Sequence, residues 1–346
     1  MAVRGQLTNP PQTQTKIMTE PNAFTRRDFI KTTGLTVSAG VLSLETPLLA
    51  APKTKWPVGC RDIHLKVAGK PDSWACMKAL GAQCTEVNVG MDLDCASLFH
   101  PRGKYTLATA DGIRVLKDDL AASGCRITAF MMANRLDEQL DKELEWTRKL
   151  VPAAHALGVE IIRIDVVPRK LEGEKFLPFA INACKSLCQI AEGTPIRYGV
   201  ENHGKITNDP QFLEKLFDGV GSPKLGLTLD CANFYWWGHP VNDLYPIYEK
   251  FAPRVVHTHC KSIRYPEDKK NVRREIGWEY GKYNCPIYEG DVDFARVIKI
   301  LRKADYRGDL CVEDESLGKQ PASAQAEVLR KEIALLKKLA QPPTTG

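Results

Sequence analysis

Two histidines lie two residues apart in the short apolar segment 255–261. On a β-strand, side chains at alternate positions point to the same face, so His257 and His259 would share one face. Imidazoles bind metals, transfer protons and bind ligands at neutral pH. The pair therefore marks a candidate site, with His257 as a candidate substrate-binding residue. The alternative is a pair of core histidines bonded to the backbone.

Acidic residues recur at a fixed spacing before this segment. Glu201 and Asp230 each end an apolar run, and 29 residues separate Glu201 from Asp230 and Asp230 from His259. Another acid, Glu313, ends an apolar run 54 residues after His259. A (β/α)8 barrel uses about 30 residues per strand–helix unit. The spacing therefore predicts that these groups lie at one height, at the carboxyl ends of the strands, where such barrels hold their chemistry.

Three carboxylates and one imidazole form a donor set for a divalent ion. Such a set suits Mn2+, Mg2+ or Co2+ better than a thiolate set would, and Zn2+ is also compatible. We therefore predict one metal ion bound by Glu201, Asp230, His259 and Glu313. His203 lies two residues after Glu201 and is expected to contact the substrate in the same cavity.

Four motifs in this order resemble the sugar phosphate isomerase/epimerase family, the xylose isomerase-like TIM barrels. They read GVENHG at 199–204, LDCANF at 229–234, HTHCK at 257–261 and EGDVDF at 289–294. The resemblance covers about residues 57–340 and implies a TIM-barrel fold. The chain departs from the family at Tyr288, which replaces the first Gly of "GEGDVDF", and at Ser262, which replaces the Asp of "HxKD".

The resemblance also implies roles for individual residues. By similarity to ketose 3-epimerases, Glu201 and Glu313 are the catalytic acid–base pair that removes and returns a proton beside a carbonyl. Lys261 matches the Lys of the "HxKD" pattern and is a candidate substrate-binding residue. Asn233 stands where those epimerases carry a His, and it is a further substrate-binding candidate. The exchange of His for Asn weakens the epimerase interpretation and leaves elimination open.

Strand-like and helix-like segments alternate eight times along the chain, which predicts a closed parallel barrel. The predicted strands are 62–67, 84–89, 127–132, 160–166, 197–201, 225–230, 254–259 and 309–313. Residues 57–340 are expected to form one TIM-barrel domain. Glu86 and Asn88 share a face near the top of the second strand. Arg163 and Asp165 share a face of the fourth, where a structural ion pair is one interpretation.

Two aromatic stretches lie beside the expected site. Residues 262–288 interrupt the alternation, and their aromatic side chains favour an ordered lid over a solvated insertion. Residues 233–239, NFYWWGH, directly follow the sixth strand. They could form the wall of a sugar site or pack against a neighbouring subunit, so a homo-oligomer is compatible with the sequence.

The first 51 residues are not expected to belong to the barrel. Arg26 and Arg27 precede Asp-Phe-Ile-Lys and a mildly apolar stretch, a pattern typical of a twin-arginine export signal. The apolar stretch is too short and too polar to indicate a stable membrane span. We expect an exported protein, periplasmic or extracellular. Eleven cysteines without a CxxC pair are interpreted mainly as small buried residues, and interspersed charges indicate no nucleic-acid partner.

Several functions fit these observations. The favoured one is a metal-dependent isomerase or epimerase that acts on an unphosphorylated sugar or keto-sugar. The alternative is a metal-dependent lyase or dehydratase that eliminates from a keto-sugar or a 3-keto-glycoside. A non-catalytic carbohydrate-binding relic is disfavoured by the intact ligand set. A nuclease of the endonuclease IV type is disfavoured because that family binds three zinc ions through many histidines, and this chain has seven histidines in all.

The export signal can be tested directly. Replacing Arg26 and Arg27 by Lys should keep the protein in the cytoplasm, because twin-arginine transport reads the guanidinium pair. Cell fractionation and immunoblotting of the double variant beside the unchanged chain would measure this. Periplasmic accumulation of the double variant, or absence of the unchanged chain from the periplasm, would contradict the prediction.

Overall fold

Eight parallel strands close into a barrel in the computed structural model, which describes residues 56–341. Each strand pairs with its neighbours in chain order, and the last strand pairs with the first. This confirms the predicted fold class. The strands are β1 Val58–Arg61, β2 Cys84–Asn88, β3 Arg126–Met132, β4 Ile161–Ile164, β5 Arg197–Glu201, β6 Leu225–Asp230, β7 Val255–Cys260 and β8 Leu310–Val312. The predicted signal at residues 1–51 lies outside the described residues.

A long helix follows each strand. These helices are α1 Ser73–Leu80, α2 Ala110–Ser123, α3 Leu136–Ala156, α4 Phe176–Ile190, α5 Pro210–Val220, α6 Val241–Phe251, α7 Phe294–Lys303 and α8 Ala322–Leu339. In α7, Phe294, Val297 and Leu301 recur at helical spacing and are buried, so one face of the helix packs on the barrel. Asp293 caps this helix by accepting from the N–H groups of Ala295 and Arg296, at 2.9 and 3.1 Å.

The first predicted strand is wrong. Residues Asp62–Ala68, which cover the predicted 62–67, form a 3-10 helix, and the strand is Val58–Arg61 just before it. At Gly59 an added Cβ would lie 1.7 Å from the carbonyl oxygen of Cys84, so only glycine allows β1 to approach β2. The other seven strands lie within two residues of the predicted bounds.

Residues 262–288, here called the lid segment, are folded. Ser262–Ile263 pairs antiparallel with Asn284–Cys285 and closes the segment at its base. The guanidinium of Arg274 lies 4.5 Å from the ring centroid of Tyr235 and 4.3 Å from that of Tyr265. Arg274 also donates to the carbonyl oxygen of Lys269 within the lid segment and to that of Tyr235 in residues 233–239. The buried guanidinium thus holds the lid segment against residues 233–239.

The aromatic residues that follow β6 serve this packing. Phe234 and Tyr235 are fully buried, and the Tyr235 hydroxyl donates to Asp291 at 2.8 Å. These two rings therefore pack within the chain and form no open wall of a sugar site. Trp237 stacks on His239 closer to the surface.

Two further sequence interpretations concern the whole barrel. Nine of the eleven cysteines are buried and all eleven are free thiols, in agreement with their interpretation as small buried residues. Within residues 56–341, no helix has both the length and the apolar character needed to cross a membrane.

The role of Arg274 leads to a stability prediction. Replacing Arg274 by Ala should open the lid segment, while the amides of the barrel strands stay protected from exchange. Hydrogen bonds to a charged group contribute about 1.5–3 kcal/mol each, so amide exchange in residues 262–288 should quicken by about tenfold or more. Hydrogen–deuterium exchange read by mass spectrometry would measure it. The control is Arg264→Ala, because Arg264 lies in the same segment with an exposed side chain. Equal exchange in the two variants would contradict the prediction.

Candidate metal centre

The four predicted metal ligands meet at the carboxyl ends of four consecutive strands. Glu201 ends β5, Asp230 ends β6, His259 lies in β7 and Glu313 follows β8. One ligand atom from each lies within 4.8 Å of the others, and all four residues are buried. The strand register explains the meeting, because Asp230 and His259 are paired across β6 and β7. The 29-residue spacing thus corresponds to one strand–helix unit each time. Metal binding by these residues stays a prediction.

The orientation of His259 suits a metal ion. Its Nε2 lies 2.8 Å from Glu86 Oε2, while its Nδ1 lies 3.3 Å from both Glu201 Oε1 and Glu313 Oε2. Burial acts to lower the pKa of His259, but the charges of Glu86, Glu313 and Glu201 outweigh it and raise this pKa well above its ordinary value. A divalent ion bound at Nδ1 would therefore replace a proton there, while Nε2–H continues to donate to Glu86. Two buried atoms of the cluster, His259 Nδ1 and Asp230 Oδ2, make no hydrogen bond of good geometry, although Asp230 Oδ2 lies 3.0 Å from Lys261 Nζ. The donor set and these two orphaned atoms fit a divalent ion.

Each glutamate of the cluster is held by an arginine from the neighbouring strand. Arg163 on β4 donates to Glu201 Oε2 through Nε at 2.6 Å and through Nη2. Arg61 at the end of β1 donates to Glu313 Oε1. Burial acts to raise the pKa of Glu201, but the charges of Arg163 and His259 outweigh it and hold this pKa below its ordinary value.

Glu313 follows the same pattern. Burial acts to raise its pKa, and the charges of Lys261, His259 and Arg61 hold it well below the ordinary value. Both glutamates are therefore ionised at neutral pH, which is the state required of a ligand or a base.

The two arginines differ in how far the sequence indicated them. The expected ion pair of Arg163 with Asp165 is present at 3.0 Å, but Arg163 also reaches Glu201, which the sequence analysis did not anticipate. Arg61 was missed entirely, because the strand that it ends was assigned to residues 62–67. With Gly59 paired to Cys84, the strand register places Arg61 beside Glu86 at the end of β1.

Asp230 faces a lysine inside the site. Its Oδ1 accepts from the N–H groups of Ala232 and Asn233, both at 2.8 Å, and its Oδ2 lies 3.0 Å from Lys261 Nζ. Burial raises the pKa of Asp230 to about 7 despite the lowering effect of Lys261. The Lys261 ammonium also lies 3.3 Å from Glu313 and 3.1 Å from Glu315. A bound ion would therefore share two of its carboxylates with Lys261.

The lid segment reaches the same lysine. The hydroxyl of Tyr280 donates to Glu315 Oε2, while Glu315 Oε1 accepts from Lys261. The lid segment is thus linked to the candidate centre through Glu315 and Lys261.

The remaining predicted substrate-binding residues occupy different depths. His203 has a side chain that is 48% exposed, and its Nδ1 lies 2.8 Å from Asp165 Oδ1. This hydrogen bond raises the pKa of His203 above its ordinary value. Asn233 is buried and donates to Glu201 Oε1 at 3.2 Å. His203 is therefore open to a ligand at the barrel mouth, and Asn233 lies among the ligand side chains.

His257 lies below the others. Its side chain is fully buried, with Nδ1 at 2.6 Å from Asp309 Oδ1 and Nε2 at 2.7 Å from Glu86 Oε2. Both ring nitrogens are thus engaged by carboxylates. These contacts do not support the prediction that His257 binds substrate, although the shared face with His259 is present, because both rings contact Glu86.

Comparison with known proteins places the chain in a family. Residues 75–339 match the model of the xylose isomerase-like TIM barrel. The chain belongs to the xylose isomerase-like TIM barrel family.

Relatives within and around this family are distant. An inosose dehydratase of Clostridium perfringens is 29% identical over 236 residues, which cover 62% of this chain and 75% of the relative. The IOLI protein, with a bound zinc atom, superposes with a TM-score of 0.61 at 14% identity, covering 82% of this chain and 98% of that one. A xylose isomerase-like TIM barrel protein of Mycobacterium smegmatis in complex with magnesium gives a TM-score of 0.59 at 17% identity, covering 84% and 99%. The two structural likenesses show the fold alone.

The ligand role of His259 can be tested by substitution. His259→Ala in this xylose isomerase-like barrel should abolish stoichiometric binding of a divalent ion, because it removes the nitrogen donor, and should leave the barrel folded. Elemental analysis after Mn2+ or Co2+ loading would measure occupancy, with circular dichroism to verify folding. His155→Ala is the control, since His155 is exposed on α3. Full occupancy in the folded His259→Ala protein would contradict the assignment.

Proposed function

We propose that the protein is a metal-dependent enzyme that removes a proton beside the carbonyl of an unphosphorylated keto-sugar or related polyhydroxylated ketone, and that it then eliminates a leaving group as a lyase. One observation carries the proposal. The four-residue ligand cluster lies beside two side chains that can carry a proton to the substrate, His203 and Lys261. The candidate ions are Mn2+, Mg2+, Co2+ and Zn2+.

Removing a proton from carbon beside a carbonyl is difficult because the resulting enolate is unstable. A divalent ion, when bound, supplies a Lewis acid that stabilises negative charge on the carbonyl oxygen. The residues fit for holding it are Glu201, Asp230, His259 and Glu313, for the reasons given above.

The base is assigned to the two glutamates. Glu201 and Glu313 belong to strands on different sides of the cluster, and both are ionised. A carboxylate within about 3 Å of the substrate C–H can take its proton. The C–H electron pair then forms the carbon–carbon double bond of the enolate.

Elimination needs a second group that donates a proton. The leaving oxygen on the next carbon departs with the C–O electron pair, and a proton donor converts it to water or an alcohol. Asp165 engages Nδ1 of His203, so Nε2 of this half-exposed ring is the nitrogen available for that donation. The Lys261 ammonium is a second donor of the same kind. Two cationic donors are more than an epimerase with two glutamates requires.

Two further observations support elimination over epimerisation. Asn233 stands where the epimerases that the chain resembles carry a His, and its amide NH2 donates a hydrogen bond to Glu201. The relative named inosose dehydratase carries out, by its name, the loss of water. An epimerase is the second candidate, because Glu201 and Glu313 approach from different strands and could serve the two faces of one carbon.

The place of export bears on the substrate. A twin-arginine signal would carry a folded, metal-loaded protein out of the cytoplasm, where phosphorylated intermediates are held. The expected substrates are therefore uncharged keto-sugars, keto-cyclitols and 3-keto-glycosides.

Product analysis separates the two reactions. Metal-loaded protein would be incubated in D2O with ketoses, a keto-cyclitol and 3-keto-glycosides, and the products followed by NMR. A lyase gives a product that has lost the leaving group, whereas an epimerase gives the inverted sugar with deuterium at the inverted carbon. Chelation should abolish either reaction. Absence of both products from every substrate, with metal bound, would contradict the proposal.

The glutamate roles have their own test. Glu201→Gln and Glu313→Gln each keep a ligand oxygen but lose the base, so turnover should fall by a factor of about 100 or more while substrate binding survives. Steady-state kinetics with calorimetric ligand binding would measure both effects. Glu145→Gln is the matched control, since Glu145 is exposed on α3. Wild-type turnover in both metal-loaded site variants would exclude the two glutamates as bases.

A further inference from the structure

A file of buried polar groups runs down the inside of the barrel from the candidate metal ligand His259. Glu86 Oε2 lies 2.8 Å from His259 Nε2 and 2.7 Å from His257 Nε2. His257 Nδ1 in turn lies 2.6 Å from Asp309 Oδ1. All four side chains are almost completely inaccessible to solvent. Because Glu86 Oε2 accepts from both imidazoles, each of them carries a proton on Nε2, and His257 carries a second proton on Nδ1 that it donates to Asp309.

Glu86 is the junction of this file. Its second oxygen, Oε1, lies 3.1 Å from Nε of Arg61, and Arg61 donates to Glu313. The Glu86 carboxylate on β2 therefore contacts one candidate ligand, His259, directly. It is connected to a second, Glu313, through Arg61. Apart from the ligand-cluster residue Glu313, which itself contacts both His259 and Arg61, no other described acid touches these two residues together.

The lower end of the file is anchored away from the barrel mouth. The hydroxyl of Thr128 donates to Asp309 Oδ2 at 2.5 Å, and Thr258 donates to the Asp309 carbonyl oxygen at 2.9 Å. Asp309 and Thr128 line a cavity of about 670 Å3 whose other walls include the strand starts at Ile161 and Val255. This cavity lies at the amino-terminal end of the barrel, opposite the ligand cluster.

We propose that Glu86 is a positioning residue that fixes His259 with its Nδ1 turned toward the other ligands, and that His257, held by Asp309, keeps Glu86 in place. The affinity for the metal ion would then be set from the amino-terminal side of the barrel, by residues that touch neither ion nor substrate. The inference rests on the proposed metal-dependent function. Partners of this kind orient a ligating histidine, and their loss lowers metal affinity about 10- to 100-fold.

Glu86→Gln gives the sharpest test. Arg61 carries only donors, so the amide oxygen of Gln would turn toward Arg61 and the amide NH2 toward the two imidazoles. His259 Nε2 would then have to accept, which moves its proton to Nδ1, the nitrogen meant for the ion. The change is isosteric and reverses the hydrogen-bond direction without opening a cavity.

Co2+ alone is the probe. Its dissociation constant would be measured by calorimetry, and its d–d absorption would report the ligand geometry, on the purified chain after chelation. We expect Glu86→Gln to weaken Co2+ binding about 10- to 100-fold and to change the spectrum. His257→Phe should weaken binding in the same direction. The control Glu160→Gln replaces an exposed glutamate beside the same cavity and should leave both readouts unchanged.

The measurements distinguish failure of the positioning role of Glu86 from failure of the proposed metal-dependent function. Folding of each variant would be verified by circular dichroism, since a purely structural file would lower the melting temperature and leave affinity and spectrum unaltered. If Glu86→Gln keeps the wild-type Co2+ affinity and spectrum, the proposal is overturned. If only His257→Phe keeps them, the role proposed for His257 is overturned. A parent chain that binds no Co2+ would instead contradict the proposed function itself.

Discussion

Charge compensation inside the barrel is the constraint on which the site depends. An ionised carboxylate buried without a partner is strongly unfavourable, so each buried acid requires a cation or hydrogen-bond donors. The described structure meets this requirement with matched pairs. Arg163 serves Glu201, Arg61 serves Glu313, and Lys261 serves Asp230. Glu201 and Glu313 can therefore stay ionised at full burial, as a site for a divalent ion needs, whereas burial raises the pKa of Asp230 to about 7.

The barrel topology supplies these partners. Neighbouring parallel strands place their ends side by side, so each acid is paired with a cation at the end of an adjacent strand. β1 lies against β8 and carries Arg61 to Glu313, and β4 lies against β5 and carries Arg163 to Glu201. Closure of the barrel is thus necessary for the site, because an open sheet would separate Arg61 from Glu313. Fold and charge balance depend on one another here.

The ligand cluster could be predicted from sequence because its information is periodic. Equal spacing of Glu201, Asp230 and His259 reflects one structural unit, and the order of apolar runs fixes the strands that carry them. Arg61 and Glu86 could not be found in the same way. Glu86 lies inside its strand, and its importance comes from contacts with β7, which sequence spacing does not encode. Arg61 was hidden because residues 62–67 alternate like a strand, whereas Gly59 decides the pairing through a contact with Cys84.

The roles of single residues are less predictable than their positions, as the two histidines of β7 show. His257 and His259 share a face and a carboxylate, yet only His259 has a ring nitrogen that faces the ligand cluster, because Asp309 occupies Nδ1 of His257. Asp309, just before β8, therefore accounts for the different roles proposed for the two histidines, support for His257 and metal binding for His259.

The same charge balance bears on how an ion would enter. The three acids of the ligand cluster already face Arg61, Arg163 and Lys261, so a divalent ion adds two positive charges to a site that is compensated without it. Arg163 and Arg61 lie outside the cluster, and each donates to the glutamate oxygen that points away from His259. Lys261 lies inside the cluster, against Asp230, and its contact with Glu315 offers a place to which its charge can shift. Tyr280 of the lid segment donates to that same Glu315, so a bound ion that displaced Lys261 toward Glu315 would also act on the lid segment.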